Sequence, residues 1–117
     1  MKAPAKPSKY RNVITEIDGM RFDSRAEAKR WSELRLLERG GVIANLERQI
    51  PIELVAGTKL HGSNRARPAI RIVVDFRFYD VELSRVRHQD TKGEETAVSL
   101  IKRHIAKVLH GIDVEIV

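Results

Sequence analysis

From Ala69 to Tyr79 the chain alternates without interruption: Ile70, Ile72, Val74, Phe76 and Phe78 fall on one side, Arg71, Val73, Asp75, Arg77 and Tyr79 on the other. A period of two is the signature of a β-strand whose faces meet different surroundings. The run predicts a strand over residues 69–79, the clearest in the chain. It also sets a carboxylate, Asp75, among Ile72, Val73, Val74 and Phe76, where its desolvation is costly unless a partner is supplied.

The other elements can be placed around that strand. Val13–Ile17 and Met20–Phe22 flank Asp18-Gly19, a dipeptide suited to the positive φ angles of a tight turn, and predict a short β-hairpin. Ser24 followed by Glu27 reads as a capping box opening a helix that Gly40-Gly41 ends near Arg39, with Ala28, Trp31, Leu34 and Leu37 as its buried stripe. Leu46–Val55 reads as a strand in which Pro51 implies an edge position or a bulge. Residues 56–68, rich in Gly, Ser, Asn and Arg, read as a flexible loop. A further strand is expected over 83–91, with Val86, His88, Asp90 and Lys92 on one face and Gly93 breaking it. A second helix over 96–109 is expected to turn Val98, Ile101, Ile105 and Val108 inward and Lys102, Arg103 and Lys107 outward, before Gly111 and a last strand over 112–117.

Length and charge bound what this assembly can be. At 117 residues, 42% hydrophobic and 32% charged, the chain suits one compact domain over 12–117. With Pro4, Pro7 and four basic side chains, residues 1–11 read as a basic flexible arm. The absence of cysteine excludes disulfides and thiolate metal sites, so any metal must be held by carboxylates or by the four histidines. No apolar run approaches the roughly 20 residues that span a bilayer, and the N-terminal stretch lacks the apolar segment of a secretion signal; a cytoplasmic location and no membrane partner are expected. The net charge of +6 is concentrated: residues 1–11 carry +4, residues 56–71 carry another +4 from Lys59, Arg65, Arg67 and Arg71, and the remainder is −2. Basic segments beside a mildly acidic body suit a protein that holds both phosphates and metal ions, although a basic tail and a solvated loop would give the same sums.

The chemistry is suggested by Asp75 and by the triplet Asp90-Thr91-Lys92, which follows fifteen residues later on the next expected strand. Side chains opposed on adjacent antiparallel strands lie about 5 Å apart, close enough for two carboxylates to share a hard cation such as Mg²⁺ or Mn²⁺. Lys92 is two residues beyond Asp90, so alternation aims it the same way, where an ammonium could steady a metal-bound hydroxide or a phosphate in its transition state. The carbonyl of Thr91 is a further candidate ligand. A D-x-K triplet alone is generic in a chain this charged; its force comes from Asp75 and the order of elements.

Those residues and that order resemble the restriction-endonuclease-like fold, whose αβββαβ core carries a PD-(D/E)xK signature across its second and third strands. The chain is similar, over nearly its whole length from Lys9, to a family of small phage and prophage proteins assigned to that nuclease class. The resemblance rests on KYRNVITEIDGMRFDSRAEAKRWSEL, IANLERQIPIEL, VVDFRFYD and QDTKG. It implies an α/β fold: a mixed central sheet flanked by two helices and preceded by a short hairpin. It also implies catalytic roles for Asp75, Asp90, Lys92 and Glu27, and Mg²⁺ or Mn²⁺ held by Asp75, Asp90, Thr91 and Glu27. Glu27 would be the acidic residue contributed by the first helix, while the capping box accounts for it equally well. The lead-in Arg87-His88-Gln89 departs from the acidic or apolar residues more usual there.

The function expected is cleavage of DNA phosphodiesters by an endonuclease, with branched or Holliday-junction DNA as the favoured substrate by analogy with small resolvases of this fold, and a homodimer to cut two strands. Lys59, Arg65, Arg67, Arg71, Arg77 and Lys102 are the expected phosphate-binding residues. The alternative is a catalytically inactive nucleic-acid-binding or host-inhibiting phage protein that keeps the fold; an exonuclease is a third reading. Trp31 reads as core, Tyr79 as a better stacking candidate, and His88 as a polar surface residue.

Overall fold

The computed structural model describes residues 14–91 and 95–117. The basic arm expected over 1–11 and Lys92 lie outside the described residues. The elements are β1 (Thr15–Ile17), β2 (Met20–Phe22), α1 (Arg25–Arg39), β3 (Ile43–Val55), β4 (Ile70–Asp80), β5 (Arg85–Asp90), α2 (Ala97–His110) and β6 (Val114–Ile116). β1 and β2 form the hairpin; the other four strands make one mixed sheet in the order β3-β4-β5-β6. Its first three strands are antiparallel and β6 runs parallel to β5, a pairing that needs the long crossover supplied by α2.

Local chemistry sets the boundaries. Asp18 and Gly19 have φ of +52° and +78°, the double positive conformation of a two-residue hairpin turn. Ser24 Oγ accepts the Glu27 N–H at 3.1 Å and starts α1; Gly40 caps it, and Gly41 at φ +76° turns the chain away. β3 begins at Ile43, three residues before the expected Leu46, because Ile43 and Ala44 pair with Asp80 and Tyr79 ahead of a register shift near Asn45. It is an edge strand, as Pro51 implied, yet its irregularities fall between Ala44 and Glu47 and between Glu53 and Val55. Pro51 itself stays in register opposite Val73.

The alternation of β4 organises the core. Phe76 and Phe78 pack with Phe22, Ala28, Trp31, Leu34 and Ile43 under α1, while Ile72 and Val74 pack with Ile50, Leu54, Ala106 and Val114 under α2. All four residues point the same way, so both helices lie over one face of β4, and burying each aromatic there contributes roughly 2–3 kcal/mol. Trp31 is 7% exposed against Phe22 and Phe76, which makes it core. The opposite face carries Arg71, Val73, Asp75, Arg77 and Tyr79; Arg71 and Val73 on it are exposed, and neither core cluster reaches it.

Two expectations are overturned. In α2, Val98, Ile101 and Val108 are 62%, 58% and 68% exposed; the sheet is met by Ala106, with Ile105 partly buried and Ser99, Lys102 and Arg103 half-buried. The stripe shows which side of the helix is apolar, but tethers fix which side faces in. Arg103 donates to the Val114 carbonyl at 3.1 Å and pairs with Glu95, and the small Ala106 permits close approach. The loop after β3 is pinned rather than free: Thr58 and Arg67 form an antiparallel bridge with hydrogen bonds of 3.0 and 2.6 Å. Gly57 allows that closure, since a Cβ there would stand 2.6 Å from the Arg67 carbonyl oxygen. Among the described residues no helix is long and apolar enough to cross a membrane.

Candidate active site

The β4–β5 ladder runs in register to Phe76 opposite Gln89, and the next step would bring Asp75 opposite Asp90. There the side chains take part in place of the backbone alone. The Asp75 N–H donates to Asp90 Oδ1 at 2.9 Å, while Asp75 Oδ2 accepts the Thr91 N–H at 2.8 Å and the Thr91 hydroxyl at 2.9 Å. Each strand thus holds the other through a carboxylate, and the two acidic groups are locked together. Asp90 is 2% exposed.

Glu27 enters from α1. Only half of the capping box serves the helix: Ser24 takes the Glu27 N–H, but the Glu27 carboxylate, 4% exposed at residue level, accepts from Gln49 Nε2 at 2.8 Å. The same nitrogen donates to Asp75 Oδ1 at 3.3 Å. Gln49 lies on β3, where pairs on either side, Arg48 with Phe76 and Ile50 with Val74, put it opposite Asp75. Its φ is +54°, a left-handed conformation that costs a non-glycine residue about 1 kcal/mol or more. Arg48 approaches Glu27 Oε1 at 3.8 Å, lies 4.1 Å over the Phe22 ring, and donates to the Arg21 carbonyl.

Electrostatics follow from this crowding. Burial, then the Asp90 charge, pushes the Asp75 carboxyl up to about 7 against the hydrogen bonds from Thr91 that lower it. Burial also raises Glu27, with Asp23 and Asp90 adding to it and Gln49 and Arg48 opposing. The three carboxyls form an acidic, oxygen-only group in which burial opposes the ionisation of Asp75 and of Glu27. Among the described residues no three His, Asp or Glu side chains are gathered tightly enough to hold an ion as they stand. The Gln49 amide nitrogen bridges Glu27 and Asp75, donating to one oxygen of each.

Of the expected site residues, Asp75, Asp90, Thr91 and Glu27 are brought together; Lys92 is outside the described residues. The basic candidates divide. Arg71 and Lys102 line one groove of about 340 Å³ with Val73, Thr96 and Ser99. Arg77 lies on the Asp75 side of β4 but is paired with Glu47 at 2.8 Å. Lys59, Arg65 and Arg67 are exposed on the pinned loop. Tyr79 and His88 are half-buried, and burial, then Arg77, lowers the His88 pKa. Sequence reasoning missed Gln49 and Arg48. The signal was available in the register: aligning Ile50, Ile52 and Leu54 with Ile72 and Val74 sets Gln49 across from Asp75.

A partly buried polar relay supports β5. Arg30 Nε donates to Gln89 Oε1 at 3.0 Å, Gln89 Nε2 donates to Glu115, and Arg87 pairs with both Glu115 and Asp80. Gln89 is 1% exposed, so the polar lead-in that departs from the expected pattern is a structural element tying α1, β5 and β6 together.

No curated protein and no solved structure matches the chain. A family model described as a protein of unknown function (DUF1064) matches residues 7–113, most of the chain and every residue of the acidic site. The chain belongs to the DUF1064 family.

Proposed function

We propose that the chain is a divalent-metal-dependent endonuclease of the restriction-endonuclease-like PD-(D/E)xK class, acting on DNA. The observation that carries this reading is the pair Asp75 and Asp90, interlocked across neighbouring strands at the end of their ladder, with the buried Glu27 beside them. Carboxyls whose ionisation is opposed by burial, as at Asp75 and Glu27, mark a functional constellation more readily than a structural one.

The residues fit a hard cation. All the donors are oxygen, and Asp75 releases its proton near neutrality, where a cation can replace it. Asp75, Asp90 and Glu27, with the Thr91 carbonyl, would hold Mg²⁺ or Mn²⁺. Such an ion, when bound, supplies Lewis acidity and a water of lowered pKa. The chain's own residues do the rest: Thr91 orients Asp75 through two hydrogen bonds, the Asp75 N–H orients Asp90, and Gln49 holds Glu27. Lys92, two residues past Asp90, is the expected partner of the attacking water or of the phosphate.

DNA is favoured as substrate by the charge layout. Arg71 and Arg77 share the Asp75 side of β4, Lys102 faces the groove beside Arg71, and the loop adds Lys59, Arg65 and Arg67. These would grip phosphates without reading sequence. Branched DNA, including four-way junctions, is the favoured structure, and a homodimer would present two such sites. The test is incubation with supercoiled, linear and four-way-junction DNA in Mg²⁺, Mn²⁺ or chelator. Metal-dependent cleavage, lost in Asp75→Ala and Asp90→Ala, is the expected result. Tight binding without cleavage in either metal would replace the nuclease with a non-catalytic DNA-binding protein.

A further inference from the structure

We infer that Gln49 is a positioning residue of this site, held in a strained backbone conformation so that its amide spans Glu27 and Asp75 and brings the helix carboxylate to the ion. The inference rests on the proposed metal site and extends it to a residue outside the acidic signature. Three observations carry it. One nitrogen, Gln49 Nε2, lies 2.8 Å from Glu27 Oε1 and 3.3 Å from Asp75 Oδ1, so a single neutral group bridges a helix carboxylate and a strand carboxylate. The backbone at Gln49 is left-handed at φ +54°, although the pairs Arg48–Phe76 and Ile50–Val74 keep the same register on both sides. Pairing alone does not require that turn, and glutamine has no preference for it. Finally, Gln49 is exposed, so its placement is not enforced by packing in the core.

Strain retained at an exposed residue whose side chain bridges two acidic groups marks a position held for what the side chain does. A lysine or arginine at position 49 would neutralise the carboxylates and compete with a cation. A carboxylate would add to the repulsion. An amide holds Glu27 and Asp75 by donation while leaving their charge for the ion, and its reach suits the gap between them. Groups that orient metal ligands in this way commonly change metal affinity by 10- to 100-fold when removed.

The backbone conformation supplies a test that separates positioning from support. Glycine accepts φ near +54° freely, so Gln49→Gly removes the amide while relieving the backbone. Mn²⁺ affinity is read by the electron paramagnetic resonance of free Mn²⁺, and folding by the thermal midpoint in chelator, for wild type, Gln49→Gly, Gln49→Asn, Glu27→Gln and the two double variants with Glu27→Gln. Gln49→Gly is expected to melt no lower than wild type yet to bind Mn²⁺ about tenfold more weakly. Gln49→Asn keeps an amide and tolerates the left-handed backbone but is one methylene short, and is expected to lose a similar factor. Glu27→Gln is expected to weaken binding about tenfold in the wild-type background and no more than about twofold once Gln49 is replaced. Wild-type affinity in Gln49→Gly, or an equal Glu27→Gln effect in both backgrounds, overturns the role of Gln49 and leaves the acidic site standing. No Mn²⁺ binding by the wild type overturns the site and this role together.

Discussion

Replacing Asp75 by Asn should stabilise the metal-free protein at alkaline pH, although it removes the residue most central to the proposed chemistry. The folded state holds the Asp75 carboxyl at about 7, against 3.8 for the free group. Between those values the native state keeps a proton that the unfolded chain has lost, so this group makes stability fall as pH rises, with the full penalty present above about 7. At 1.36 kcal/mol per pH unit the displacement amounts to at most about 4 kcal/mol. Asp75 is half-buried, so solvent screens part of this, and Asn forfeits the weak acceptor for Gln49; a gain of roughly 2 kcal/mol at pH 8 is expected. Urea unfolding of both proteins in chelator at pH 4 and pH 8 measures it. Taking the difference between the proteins cancels His88, whose lowered pKa adds stability as pH rises, and cancels Asp80 and Glu115, whose lowered values do the same in the acid range. The Asn variant should match or fall below wild type at pH 4 and exceed it at pH 8. Mn²⁺ at about 100 times its Kd should reverse the order at pH 8, adding about 2.7 kcal/mol to the wild type alone. A variant no more stable than wild type at pH 8 in chelator would refute the argument that Asp75 is under-compensated.

Other outcomes follow from the basic loop and from α2. Arg65→Ala with Arg67→Ala should weaken DNA binding whatever the sequence and reduce the slope of log affinity against log salt by about 1.8; an unchanged slope would remove the loop from the interface. Gly57→Ala sets a Cβ 2.6 Å from the Arg67 carbonyl and should open the loop bridge, lowering DNA affinity in the same direction, and wild-type binding would show that the bridge does not matter. The outward row Val98, Ile101 and Val108 should mediate a dimer of the 13.4 kDa chain. Light scattering should give twice the monomer mass for wild type and the monomer mass for Ile101→Glu with Val108→Glu, whereas a monomeric wild type would contradict the two-site arrangement.

Much of this architecture was legible because its signals are local. Alternation fixed β4, Asp18-Gly19 fixed the hairpin turn, and Ser24 with Gly40-Gly41 bounded α1 within a residue. Where the reading failed, a distant contact decided. The stripe of α2 was correct as a pattern, yet its direction was set by Arg103 reaching Val114 on the following strand. The loop after β3 looked free because the Thr58–Arg67 bridge joins residues nine apart with no turn signature that reveals it. Within the site, the closeness of Asp75 and Asp90 could be anticipated from strand order, and Glu27 takes part in both of its readings, with its N–H on Ser24 and its carboxylate on Gln49. The β3 register places Gln49 across from Asp75, but the left-handed backbone at that position is one that no propensity of glutamine foretells.

Isothermal titration of the chain with Mn²⁺ at pH 7.5 examines the foundation of this account most directly. Saturable binding by the wild type, abolished in Asp75→Asn and in Asp90→Asn and weakened in Glu27→Gln, is the predicted result. Heat of binding that is absent in the wild type, or unchanged when either aspartate is replaced, would contradict it.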